Sequence, residues 1–223
     1  IIAENAVQEI KKEGAGKILA IERKKKSVDR PQLYDITELQ RDGNRLYGYT
    51  ADDTLKTAQS LYEQHKILSY PRTDSRYLTR DLEIYIKDRL KQIATLKSYN
   101  SIACQFLAGN LNIDKSIIDD SKVTDHHALI VTKNIEGFNI EKLNDKEKNI
   151  LHLIIARMLV ALSGKYTYEE TIMKVMFNNG IIVSAGGRKV ISWGWQAVQK
   201  LLMRKKEEQM VMEEQEQIFP DIK

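Results

Sequence analysis

The hydrophobic period changes twice along this chain, and that change constrains the fold more than any other feature. In Lys17–Lys26, Ile18 and Ala20 fall on one face and Leu19 and Ile21 on the other, the alternation of a strand. The strand leaves through a basic run, Arg23-Lys24-Lys25-Lys26, which reads as a solvated edge in preference to a DNA contact, and it ends before Arg30-Pro31, because the residue before proline is held extended. From residue 37 to 164 the apolar residues instead recur at three- and four-residue spacing, the mark of helices. At Lys165 alternation returns: Thr171, Met173, Val175 and Phe177 share a face, Asn178-Asn179-Gly180 is a hairpin turn, and Ile181–Ala185, Gly186-Gly187 and Val190-Ile191 complete a small antiparallel set.

Local signals place the helices. Residues 3–12 read as a helix stopped by Gly14 and Gly16. Thr37-Glu38-Leu39-Gln40 fits a capping box, and Gly48 is a stop. Thr50 is an N-cap, with Asp52 and Asp53 complementing the dipole, and Leu55, Ala58, Leu61 and Tyr62 form a buried stripe. A helix from about Asp81 to Ala94 turns Leu82, Ile84, Ile86 and Leu90 inward. Asn144 caps Asp145–Ser163, whose broad apolar face is Ile150, Leu151, Ile154, Met158 and Leu162, and Gly164 stands where a left-handed C-terminal residue is wanted. Trp193-Gly194-Trp195 packs between the sheet and its neighbour, and a charged segment, Arg204–Glu208, follows. The expected fold class is α+β: a mainly helical domain, 37–164, inserted into a β-rich domain made of 1–36 and 165–223.

Composition excludes several classes. In 223 residues, 42% hydrophobic and 30% charged side chains describe a globular chain with a core. Three prolines and eleven glycines are few, which favours long helices. A net charge of +4 permits a nucleic-acid partner without requiring one. The single cysteine, Cys104, rules out an intrachain disulfide and a cysteine zinc site; it reads as buried and inert, and a reducing, cytoplasmic setting is expected. The longest apolar stretch, Ile150–Leu162, has 13 residues and is interrupted by His152 and Arg157, short of the about 20 a membrane span needs. No signal-peptide pattern opens the chain, and the missing initiator Met suggests a piece of a longer protein.

Two segments carry chemistry. Leu68-Ser69-Tyr70-Pro71-Arg72-Thr73-Asp74-Ser75-Arg76-Tyr77-Leu78 packs tyrosines, arginines and hydroxyls into one loop after a helix. Tyr70 and Arg72, two apart, share a face of an extended segment. A guanidinium there can fork onto phosphate oxygens and favour a phenolate-like nucleophile, help that a phenol of pKa about 10 needs. Read from composition alone, the loop is better served by the plainer account, a helix-ending loop with an ion pair of Arg72 or Arg76 with Asp74. In Thr124-Asp125-His126-His127-Ala128-Leu129-Ile130-Val131-Thr132, the adjacent histidines face opposite ways, against a shared metal; one can donate to phosphate, or simply satisfy a backbone group. Tyr62, Tyr70 and Tyr77 are capable of stacking bases.

These residues resemble a known family. Leu33–Gln40, Asn44-Arg45, Tyr47–Ala51, Leu61-Tyr62-Glu63, Tyr70–Leu78 and Asp125–Thr132, in that order, resemble the type IA DNA topoisomerases, and the Tyr-Pro-Arg and Arg-Tyr-Leu forms the bacterial topoisomerase III subgroup. Val131 stands where the family usually has proline, and Trp193-Gly194-Trp195 with Val198 resembles the segment that follows the helical domain. The likeness covers about residues 17–200. It implies that Tyr70 attacks a single-strand phosphodiester and keeps the 5′-phosphate, that Arg72 positions phosphate and tyrosine, and that His126 supports the transition state. Gln40, Arg45, Thr73, Asp74, Ser75, Arg76 and Thr132 are the implied DNA contacts. The helical domain becomes a gate and the β-rich domain an arch and hinge.

The resemblance also implies what lies elsewhere. The family's Toprim domain supplies an acidic cluster for Mg2+, and no Asp-x-Asp pair occurs here. The chain alone is thus expected to bind no metal and to be inactive. Its implied partners are DNA, preferentially single-stranded, the Toprim and remaining domains, and a helicase, with no membrane. The alternatives are a single-stranded nucleic-acid-binding module without catalysis, or a helical adaptor with a coincidental loop.

Overall fold

The computed structural model describes residues 8–12 and 15–203. The start of the first expected helix, Gly14 and Arg204–Glu208 lie outside the described residues. The chain divides into two compact units, each built from discontinuous segments.

The β unit is a three-stranded antiparallel sheet of β1 (Lys17–Val28), β2 (Tyr166–Met176) and β3 (Ile182–Ser192) in the order β1-β2-β3. The basic run of β1 is exposed and answered across the sheet: Lys24 pairs in register with Glu170 and that with Arg188, Lys25 with Glu169 and that with Lys189. Lys26 Nζ reaches Glu170 at 2.5 Å. The β2–β3 turn closes as its sequence requires: Phe177 N–H donates to Ile181 O at 2.9 Å and Gly180 takes φ +80°. Gly186 and Gly187 run within β3, in register with Ile172 and Thr171 of β2, where ladder bonds outweigh weak strand propensity. Trp193 is half exposed, its ring 6.0 Å from that of Tyr166.

The helical unit begins at Asp29, not at 37, and includes the helix after Trp193, which the sequence assigns to the second β-rich part. It contains α1 (Ile36–Tyr47), α2 (Ala51–Glu63), α3 (Arg80–Ala94), α4 (Asn100–Gln105), α5 (Asp145–Ala161) and α6 (Gly194–Leu202). The cap of α1 is Asp35, not Thr37. Asp35 is extended and its carboxylate accepts from Glu38 N–H at 2.6 Å, which leaves Thr37 inside the first turn. Gly48 ends α1 at φ +70°, and Thr50 caps α2 by accepting from Asp53 N–H at 3.0 Å. Asn144 and Glu147 form a reciprocal capping box on α5. That helix stops at Ala161, and Gly164 is not among the residues of positive φ. The left-handed glycine is Gly194, where a Cβ would stand 2.2 Å from Lys165 O and where Trp195 N–H bonds Gly164 O.

The core forms around α5. Ile150, Leu151, Ile154, Ile155 and Leu159 are buried, with Leu39 of α1 and Ala58 and Leu61 of α2. Each such leucine or isoleucine contributes roughly 1.5–3 kcal/mol by leaving water. On α3 the inward stripe is Ile86, Leu90 and Ile93; Ile84 is 71% exposed, because two residues correspond to about 200° around a helix. Cys104 is exposed, one position round from buried Ala103, so the expected burial does not hold. Tyr62 likewise lies off the buried stripe of α2.

Two features of α1 are testable. A Cβ on Gly43 would come 2.9 Å from Thr54 Oγ1 and 3.6 Å from its Cγ2, so α1 and α2 approach where only glycine fits. Gly43→Ala raises helix propensity by about 1 kcal/mol, but the clash costs about 1–3 kcal/mol; denaturant unfolding should show a net loss. Asp42 is the second. Its carboxylate accepts from Tyr34 Oη at 2.5 Å, Arg45 Nη2 at 2.9 Å and Arg157 Nη2 at 2.6 Å, and the Arg157 guanidinium lies 4.0 Å over the Tyr34 ring. Burial pushes the Asp42 carboxyl up, but these bonds and charges outweigh it and hold it below its ordinary value. The stability this contributes is present above pH about 4 and is lost as pH falls through the lowered folded value. Asp42→Asn should cost about 1–3 kcal/mol near neutrality and flatten the acid side of a stability–pH curve.

Candidate active site

Tyr70 is placed by backbone. After α2, Lys66 adopts φ +57°, rare for a non-glycine residue, and its carbonyl accepts from Thr132 Oγ1 at 2.6 Å and Asn134 Nδ2 at 2.9 Å. The reversal sends Ile67 and Leu68 into the core and starts a stretch stitched to 128–132. Thr132 N–H donates to Ile67 O at 3.0 Å, Ser69 N–H to Ile130 O at 2.9 Å, Ile130 N–H to Ser69 Oγ at 3.0 Å and Ala128 N–H to Tyr77 O at 2.9 Å. A third segment joins: Leu129 N–H bonds Tyr34 O at 2.8 Å, and Ile36 N–H bonds Thr73 O at 3.0 Å. The segments 33–36, 67–78 and 126–132, far apart in sequence, thus form one surface.

On that surface Tyr70 is partly exposed, behind buried Pro71. Its ring lies 4.4 Å from the exposed His126 ring and 5.5 Å, edge-on, from Tyr62. Arg72 is exposed; Gln59 on α2, with its amide oxygen turned toward the guanidinium, accepts from Arg72 Nε and Nη2 at 3.2 Å each. His127 faces elsewhere, its Nδ1 2.7 Å from Ala128 O. Tyr70, Arg72 and His126 are therefore accessible together.

The other expected contacts sort differently. Thr73 and Ser75 are buried at 3% and 4% exposure. Thr73 Oγ1 donates to His126 O at 2.9 Å and accepts from Ser75 N–H, while Ser75 Oγ donates to Lys122 O at 2.9 Å. Their hydroxyls brace the loop and are turned inward in this structure. Arg76 pairs with Asp35 at 2.7 Å and Glu38 at 3.2 Å, and not with Asp74, so Asp35 both caps α1 and anchors the loop. The Asp35 bond leads the contacts that raise the Arg76 pKa. Gln40 donates to Ala51 O at 3.1 Å, and Thr132 caps the turn Lys133–Ile135. Arg45 is exposed but bonded to Asp42, and Asp74 is exposed. Val131 N–H donates to Met158 Sδ at 3.4 Å, a weak bond, so a proline in its place would give up little.

Sequence reasoning missed Asp35, Gln59 and Lys66. The first two had a signal: Asp35 precedes an amphipathic helix, and Gln59 shares an i, i+3 face with Tyr62. Nothing local marks Lys66. Among the described residues no three His, Cys, Asp or Glu side chains converge to hold a metal, and no helix is long and apolar enough to cross a membrane.

Comparison with known proteins fits this geometry. A family model described as DNA topoisomerase matches residues 2–223. DNA topoisomerase 3 of Bacillus cereus (strain ZK / E33L) is 39% identical over 206 residues, covering 92% of this chain and 27% of the relative. DNA topoisomerase 3 of Bacillus subtilis (strain 168) is 43% identical over 169 residues, 75% of this chain and 23% of the relative. The full-length topoisomerase I structure from Thermotoga maritima superposes with a TM-score of 0.61 at 20% identity, over 88% of this chain and 31% of that one, a likeness of fold. The chain spans about a quarter of the length of the curated relatives it matches. With the family model matching nearly end to end, the chain belongs to the type IA DNA topoisomerase family.

Proposed function

We propose that this chain is the tyrosine-bearing part of an enzyme that cleaves one DNA strand, passes a strand through the break and religates it without ATP, relaxing negative supercoils or decatenating DNA. The observation that carries the reading is the meeting of the Tyr70 and His126 rings, 4.4 Å apart, on a backbone-locked loop that also bears the exposed Arg72. The phenolic oxygen of Tyr70 forms a bond to phosphorus, and the bond from phosphorus to the 3′-oxygen breaks. The proton lost by the phenol is matched by the one gained at the leaving 3′-hydroxyl, so religation is the same exchange reversed. Arg72, held along one edge by Gln59, offers its remaining donors to the phosphate and favours the phenolate. His126 stabilises developing charge beside the tyrosine.

In this reading the helical unit is the gate and the β-rich unit the arch and hinge. Thr73 and Ser75 position the loop, and Arg45 and Asp74 are the exposed candidates for strand contact. Mg2+ belongs to the whole enzyme's Toprim acidic cluster, where it would supply electrostatic stabilisation of the phosphate. The described residues of this chain do not fit that ion, since no metal-holding trio converges among them. The partners are single-stranded DNA, the Toprim and other domains of the parent chain, and a helicase; the setting is cytoplasmic.

The test is binding of the purified chain to a labelled single-stranded oligonucleotide and its duplex at low and moderate salt. We expect single-strand preference, weakening with salt, and a several-fold loss for Arg72→Ala. Equal affinity for duplex, or none for either, overturns the reading. Supercoiled plasmid should stay unrelaxed by the chain alone; relaxation that Tyr70→Phe abolishes would refute the need for the Toprim half.

A further inference from the structure

Tyr62 has no part in the chemistry above, yet its placement is specific. It lies off the core stripe of α2, whose buried residues are Thr54, Thr57, Ala58 and Leu61. Tyr62 is 37% exposed, and its ring stands nearly perpendicular to that of Tyr70, centroids 5.5 Å apart at 82°. Three residues earlier on the same helix, Gln59 reaches Arg72. One helix face therefore meets the two outward groups of the loop, Gln59 through a hydrogen bond and Tyr62 through a ring contact. The other tyrosine of the cluster, Tyr77, is only partly exposed and its hydroxyl accepts from Gln32 Nε2, so it is tied into the fold.

A strand presenting a phosphate to the Tyr70 hydroxyl must put its neighbouring bases beside it. The rings of Tyr62, Tyr70 and His126 form a continuous ridge with steps of 5.5 and 4.4 Å. One extended strand can span both rings, and an exposed aromatic ring beside Tyr70 offers a stacking platform. Because it packs nearly perpendicular to the Tyr70 ring, the Tyr62 ring is oriented before DNA arrives, which lowers the ordering cost of binding.

We propose, resting on the strand-binding reading above, that Tyr62 stacks the base adjacent to the scissile phosphate and is a specificity-determining residue of this site, with purines held more tightly than pyrimidines by their larger ring face. The polar groups of the site face phosphate, so Tyr62 supplies the contact that depends on the base.

The experiment compares the wild-type chain, Tyr62→Phe and Tyr62→Ala for binding to single-stranded oligonucleotides in which one abasic position is walked along the strand. Thermal unfolding checks that all three are folded. Wild type and Tyr62→Phe should bind alike, Tyr62→Ala about tenfold more weakly, and the penalty of one abasic position should vanish in Tyr62→Ala. A 2-aminopurine at that position should be quenched by wild type and not by Tyr62→Ala. Unchanged affinity and abasic profile in a folded Tyr62→Ala overturn this assignment while leaving the strand-binding reading intact. A wild type that binds no single strand overturns both. Loss of binding in Tyr62→Phe as well as Tyr62→Ala also overturns it, because stacking needs the ring and not the hydroxyl.

Discussion

Everything at the candidate site depends on one backbone constraint: the loop carrying Tyr70 is hydrogen-bonded as an extended segment to 128–132. Between Ser69 and Arg76, a stretch of two arginines, three serine and threonine hydroxyls and an exposed aspartate has little apolar surface of its own to hold it. It is ordered because Ile67 and Leu68 on one side and Ala128, Leu129 and Val131 on the other are buried, and their peptide groups then have to pair with one another. The left-handed Lys66 turn makes that pairing possible, and its strain is offset by the two side chains that bond its carbonyl.

Polar side chains divide by the same logic. Those turned inward hold the scaffold: Thr73 ties the loop to the His126 backbone, Ser75 ties it to Lys122, and Asp35 serves α1 and Arg76 at once. Those turned outward are few: Tyr70, Arg72, Asp74 and His126. A buried hydroxyl must find a partner inside the protein, whereas an exposed guanidinium with one edge held keeps donors for a ligand. Burial therefore separates the bracing side chains from the outward-facing ones within a motif where residue type alone does not.

Much of the fold was legible beforehand where local chemistry decides it. The period changes located the sheet and the helices, Thr50 and Asn144 are caps as read, and Asn178-Asn179-Gly180 is the hairpin turn. The misreadings share a cause. Thr37 and Asp35 are both good caps, and the choice fell to Asp35, which also answers Arg76. Ile84 and Cys104 were read as inward because they are apolar, but the packed face is set by neighbouring elements.

By itself the sequence determined the class of the fold, α+β with its helices between strand segments, and through its family likeness it singled out Tyr70, Arg72 and His126 as the proposed reactive groups. It did so because periodicity, caps and turns are properties of short stretches. Only the tertiary structure decided that Tyr70 and His126 meet, that Thr73 and Ser75 are buried, that Arg76 is paired with Asp35, and that Gln59 and Tyr62 address the loop from α2. Those are contacts between segments distant along the chain, and they are selected by which apolar surfaces can be buried together while every enclosed peptide group finds a partner.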